Sequence, residues 1–178
     1  MPTTSFEFDV ASSPSDFIDH IVGTHHAYTR DALQQLVPLA NKVAGVHANH
    51  PEAGAARDLI VELADELLPH LDREEMILFP YIRTLELDSP PRPPFGTVAN
   101  PLRVMARDHE RANELLEELR RVTGGYVAPP HACGSWRRLW SNLQELDVDL
   151  VAHIELEDGT LFSWALEREQ QLFNSTQG

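Results

Sequence analysis

At 178 residues, with 14 Lys and Arg against 28 Asp and Glu for a net charge of −14, the chain is long enough for one domain with a substantial core. It lacks the clustered positive charge that a nucleic-acid or anionic-membrane surface requires, so neither partner is expected. The single cysteine, Cys133, excludes an internal disulfide or a Cys-only metal site and points to a reducing, cytoplasmic location, and no apolar run approaches the roughly 18–20 residues that span a bilayer.

Residues 1–14 read as an N-terminal tail with no basic, apolar secretory signal. From about Ser15 to Val43, Ile18, Val22, Leu33, Leu36 and Val37 recur at the spacing of one helical face, after a Ser-Pro-Ser-Asp start. The segment Gly45 to Gly54 reads as a turn. Leu59, Leu63, Leu67, Leu71, Leu78 and Ile82 then form a second stripe, and Pro69 predicts a kink just before His70, because it lacks a backbone donor. Five prolines between Asp88 and Pro101 mark a connection. Leu102, Met105, Leu115, Leu116 and Leu119 define a third helix that stops at Gly124 and Gly125. After Ala128-Pro129-Pro130, a fourth helix carries Trp136, Leu139, Trp140, Leu143, Leu146, Leu150, Ile154, Leu161 and Phe162. The expectation is an all-α, up-down-up-down four-helix bundle over residues 15–170, with a short tail over 171–178.

Nine histidines are the anomaly of this composition. His70 with Glu74 and His153 with Glu157 are two His-x-x-x-Glu pairs, each followed by Leu-Phe. On a helix, residues i and i+4 share a face, so each pair offers an imidazole and a carboxylate to one ion. Both pairs share their face with leucines, and buried groups of this kind need partners. Helix one supplies His25 or His26, which helical phase does not separate, and helix three supplies His109. Four His and two Glu are the donor set of a binuclear carboxylate site, and N/O ligation without thiolate suits iron or manganese, with zinc as a substitute. Asp158 competes with Glu157 for its place. Glu75 is expected to face solvent, and Glu66, one turn before His70, to orient an imidazole or gate the site. His20 lies off the face, His47, His50 and His131 fall in turns and read as solvated, and Cys133 reads as structural.

The stretches DHIVGTHHAYTRDAL, KVAGVHANHPE, ELLPHLDREEMILFPYI, PLRVMARDHERANELLEEL, PPHACGSWRRLW and LVAHIELEDGTLFSWAL, taken in order, resemble the di-iron domain of the Repair of Iron Centres proteins of the hemerythrin-like superfamily. The resemblance runs from about Pro14 to Arg168. It implies a hemerythrin-like bundle and ligands His26, His70, Glu74, His109, His153 and Glu157, which selects His26 over His25 and Glu157 over Asp158. It further implies two iron ions joined by an oxo or hydroxo bridge, with Glu66 and Asp108 near the iron path. The implied role is repair of iron–sulfur clusters under nitrosative or oxidative stress, by iron donation or nitric oxide handling.

Damaged iron–sulfur proteins are then the expected clients, and nitric oxide, dioxygen or peroxide the expected small ligands, with nitric oxide or peroxide reduction as a conceivable enzymatic activity of a monomer or dimer. Reversible dioxygen binding or sensing is the alternative. Oxygen-carrying relatives are expected to have a further His one turn after the helix-three ligand, where this chain has Asn113. The N-terminal Cys-containing domain of many members is expected to be missing, and Ser163 stands where a proline usually follows the last Leu-Phe.

Overall fold

The computed structural model describes residues 13–175; residues 1–12 of the expected N-terminal tail and 176–178 of the expected C-terminal tail lie outside them. Four long helical rods form an antiparallel bundle. Rod α1 joins Pro14–His20, Ile21–His26 and Ala27–Val46; rod α2 joins Pro51–Arg73, Glu74–Leu78 and Phe79–Thr84; rod α3 is Ala99–Val122; rod α4 joins Gly134–Leu156, Glu157–Leu161 and Phe162–Ser175.

The ends of the rods follow local chemistry. Ser13 caps α1 by accepting from the Asp16 amide, and Pro51 opens α2 with a φ already suited to a first turn. The turn between them is therefore shorter than the expected Gly45–Gly54 segment, and both glycines sit inside helices. At the end of α3 the Gly125 amide bonds Arg120 O at 2.7 Å, with Gly124 at φ +62° and Gly125 at φ +73°. Glycine adopts this left-handed stop without a Cβ penalty. The last rod continues to Ser175, past residue 170.

Three middle segments are π-helical turns, in which one extra residue enters the turn. In α2 the Phe79 amide reaches back to Glu74 O, and in α4 the Phe162 amide reaches back to Glu157 O. The α-helix runs through Pro69, and helical geometry changes only at Glu74, one turn after His70. A proline is not what makes this turn. In α4, Ser163 stands where α2 has Pro80, and its hydroxyl donates to Asp158 O at 3.1 Å. The extra residue shifts the phase of all that follows, so adjacent residues both turn inward: Leu78 and Phe79, Leu161 and Phe162, His25 and His26 are all buried.

Two apolar clusters fill the bundle. One contains Leu36, Leu63, Leu116, Trp136 and Leu143; the other contains Phe17, Phe79, Ile82, Met105 and Phe162. Each fully buried Leu or Phe contributes about 2 kcal/mol. Between the clusters lies a layer of His and Glu side chains. The proline-rich connection from α2 to α3 is tied down by Glu169 of α4, whose buried carboxylate accepts from Tyr81 Oη at 2.7 Å, the Val98 amide at 2.9 Å and the Thr97 hydroxyl.

Candidate metal centre

Antiparallel packing brings the middles of four rods to one level. His26 comes from α1, His70 and Glu74 from α2, His109 from α3, and His153 and Glu157 from α4. All six are buried, and both glutamates have no exposed surface. They form two overlapping groups able to hold a metal ion: His26, Glu74, His153 and Glu157; and His70, Glu74, His109 and Glu157. Both glutamates belong to both groups.

The spacing is that of donors around a shared ion. Atoms about 2.1 Å from one metal and 90–109° apart lie about 3.0–3.4 Å from each other. His70 Nε2 lies 3.3 Å from Glu74 Oε2, His109 Nε2 3.2 Å from Glu157 Oε2, and His153 Nε2 2.9 Å from Glu157 Oε1. His26 Nε2 is 3.5 Å from an oxygen of each glutamate. Both oxygens of Glu74, Oε2 of Glu157 and both ring nitrogens of His153 are buried without a hydrogen-bond partner. Orphaned acceptors at this depth cost several kcal/mol, and a cation between them removes that cost. The donor set fits a metal.

Behind the converging Nε2 atoms, carboxylates hold three of the four rings by Nδ1. His26 pairs with Glu75 at 2.9 Å, His70 with Asp108 at 3.3 Å, and His109 with Asp158 at 3.0 Å. A carboxylate accepting from Nδ1–H fixes the tautomer that leaves the Nε2 lone pair free. Phenyl rings hold two imidazoles by stacking, Phe79 on His26 at 5.6 Å and Phe162 on His109 at 6.0 Å. The Leu-Phe that follows each His-x-x-x-Glu pair therefore buries its Phe against a histidine of another rod. His153 differs: His25 stacks on it at 5.4 Å and itself bonds Asp149 at 3.0 Å, leaving Nδ1 of His153 without a carboxylate.

Glu75 and Glu66 are placed differently from expectation. Glu75 does not simply face solvent, because it holds His26 and is itself held by Arg30 at 3.1 Å. Asp158 supports His109 and is outside both groups, as is His25. Asp108 contacts His70, whereas Glu66 is exposed, because Leu63 and Leu67 fill the interface at its level. Asn113 is also exposed. The supporting acids carried a signal that spacing arguments passed over: Glu75 and Asp158 each directly follow an inward glutamate, and Asp108 directly precedes His109.

Electrostatics divide the protons unevenly. Burial pushes the Glu74 carboxyl well above the usual range, and neighbouring Glu157 pushes it the same way. Glu157 is held low despite burial, by His153, His109 and His26. Burial lowers His70 to about 4, while His109 rises to about 9 against burial through its hydrogen bond to Asp158 and the nearby carboxylate of Glu157.

A buried His/Glu layer within four antiparallel rods defines a hemerythrin-type cation-binding bundle, and residues 18–165 match the Hemerythrin HHE cation binding domain. The chain belongs to this family, within its iron–sulfur cluster repair branch. It is 39% identical over 153 residues to the iron-sulfur cluster repair protein DnrN of Neisseria gonorrhoeae, covering 84% of this chain and 90% of that one. To the repair protein YtfE of Cronobacter sakazakii it is 37% identical over 170 residues, 94% of this chain and 73% of the relative. To YtfE of Escherichia coli O157:H7 it is 38% identical over 167 residues, 92% and 71% respectively. Among the described residues no helix is long and apolar enough to cross a membrane.

Proposed function

We propose that this chain is a non-haem di-iron protein acting in iron–sulfur cluster repair under nitrosative or oxidative stress. The observation that carries the reading is the sharing of Glu74 and Glu157 by both donor groups. His26 and His153 would hold one ion and His70 and His109 the other, with Glu74 and Glu157 available to both. Six N/O donors without thiolate suit iron, and the relatives' printed names supply the repair role. Bound iron would supply redox-active Lewis acidity.

The chain's own residues do the positioning. Glu75, Asp108 and Asp158 orient three imidazoles, Phe79 and Phe162 restrict two of them, and the two apolar clusters exclude water above and below the layer. Client iron–sulfur proteins and small ligands such as nitric oxide belong to this reading. Metal analysis with optical spectroscopy on protein purified without added metal tests the centre, with two irons per chain expected. Iron-loaded protein should restore activity to a cluster enzyme damaged by nitric oxide. Normal iron content with no restoration would overturn the repair role and leave the centre standing.

A further inference from the structure

At the far end of the bundle, roughly 30 Å along α1 from His26, the histidines that sequence reading assigned to solvent are gathered together. The turn after α1 supplies His47 and His50, the first turn of α2 supplies Glu52, and the turn before α4 supplies His131. Some 80 residues of chain separate His50 from His131, yet their rings lie 4.5 Å apart. All three imidazoles surround the buried Trp136, at ring distances of 4.7, 5.2 and 5.8 Å for His47, His50 and His131. Cys133 lies 3.1 Å from Nε2 of His47.

We propose that His50, Glu52 and His131 form a second, mononuclear site for a divalent transition-metal ion, separate from the binuclear centre. One ligand atom from each lies within 4.8 Å of the others. His50 Nδ1 is 3.2 Å from Glu52 Oε1, the separation of two donors on one ion at about 2.1 Å each. Two imidazoles and one carboxylate suit a transition metal rather than calcium or magnesium, which take oxygen donors. Both His50 and Glu52 are about a third exposed, at 34% and 35% of their side-chain surface, and His131 is exposed. The ion is therefore open to solvent, and the net charge of −14 on the chain favours the approach of a cation. Turn positions let the His131 ring swing from stacking to ligation without disturbing a helix. Cys133 is not a ligand in this assignment, since it pairs with His47 beside the trio.

The test uses the full chain with iron already loaded, dialysed against Co²⁺, with total metal counted per chain. The parent should take up one ion more than the His50→Ala/His131→Ala double variant, with equal iron content and equal far-ultraviolet circular dichroism. Glu52→Ala should weaken uptake of that ion, and Cys133→Ser should retain it. Equal cobalt uptake by parent and double variant overturns the site, and so does loss of the ion in Cys133→Ser alone. Because the count is a difference between two chains with the same central residues, it reads the same whether or not the binuclear centre holds iron.

Discussion

Glu75 holds Nδ1 of His26 at 2.9 Å from the position directly after Glu74, so one short segment of α2 places one carboxylate in the donor layer and the next behind it. Asp158, directly after Glu157, does the same for His109 at 3.0 Å. Glu75→Gln and Asp158→Asn should each weaken metal binding by about 10–100-fold while the fold persists. Competition against a chromophoric chelator measures this, and unchanged affinity in both variants would show that the outer carboxylates do not tune the site.

Glu74→Gln should act in opposite directions on the two states of the protein. It removes a carboxylate common to both donor groups, so metal content falls; it also removes a carboxyl that burial and Glu157 push well above its usual range, so the metal-free protein gains stability at neutral pH. Metal analysis and chemical denaturation of the apo form check the two halves separately. A destabilised apo form would contradict the electrostatic account.

The metal-free protein should lose stability between pH 6.5 and 9. His109 is raised to about 9 when folded, so it binds more protons than in the unfolded chain throughout that window. Its contribution is complete below pH 6.5 and disappears as pH rises through 9, a change of about 3 kcal/mol. Glu74, also raised, works in the same direction. Asp158→Asn should flatten this alkaline limb, measured by urea midpoints across pH; binding of metal, which displaces the His109 proton, should strengthen over the same window.

The Cys133 thiol is lowered to about 7 by its hydrogen bond from His47, helped by the Trp136 and Ser135 amides at the start of α4. Alkylation by iodoacetamide should therefore reach half its maximal rate near pH 7, and His47→Ala should move that midpoint up by about one pH unit. An unmoved midpoint would assign the effect to the helix terminus alone.

Glu169→Ala should free the connection between α2 and α3. It leaves the Val98 amide and the Tyr81 hydroxyl without their acceptor and should cost about 3 kcal/mol. Hydrogen exchange should rise first in residues 95–98. Uniform protection across the variant would show that the prolines alone hold this segment.

The periodicity of Leu63, Leu67 and Leu71 made a helix legible, and the i,i+4 spacing of His70 with Glu74 and of His153 with Glu157 made two donor pairs legible, because both depend on contacts within one turn. Proline and glycine marked most ends correctly, but Gly45 and Gly54 were drawn into helices once Pro51 had fixed the start of α2. Which neighbour of Glu74 and Glu157 did what was not legible. Glu75 and Asp158 acquire their roles only because π-helical turns re-phase α2 and α4 and present them to histidines on other rods.

Sequence by itself determined the four helices, the polar layer at their middles and the two His-x-x-x-Glu pairs, since helical phase and the chemistry of His and Glu are local properties, whereas the choice of His26 over His25 and of Glu157 over Asp158 came from the family resemblance. Tertiary structure decided that both glutamates serve both groups, that three imidazoles have a carboxylate behind them while His153 has His25, and that His50, Glu52 and His131 meet at the far end of the bundle. Each of those relationships joins residues from different rods, where the rotation and depth of packing, rather than spacing along one chain segment, set which atoms touch.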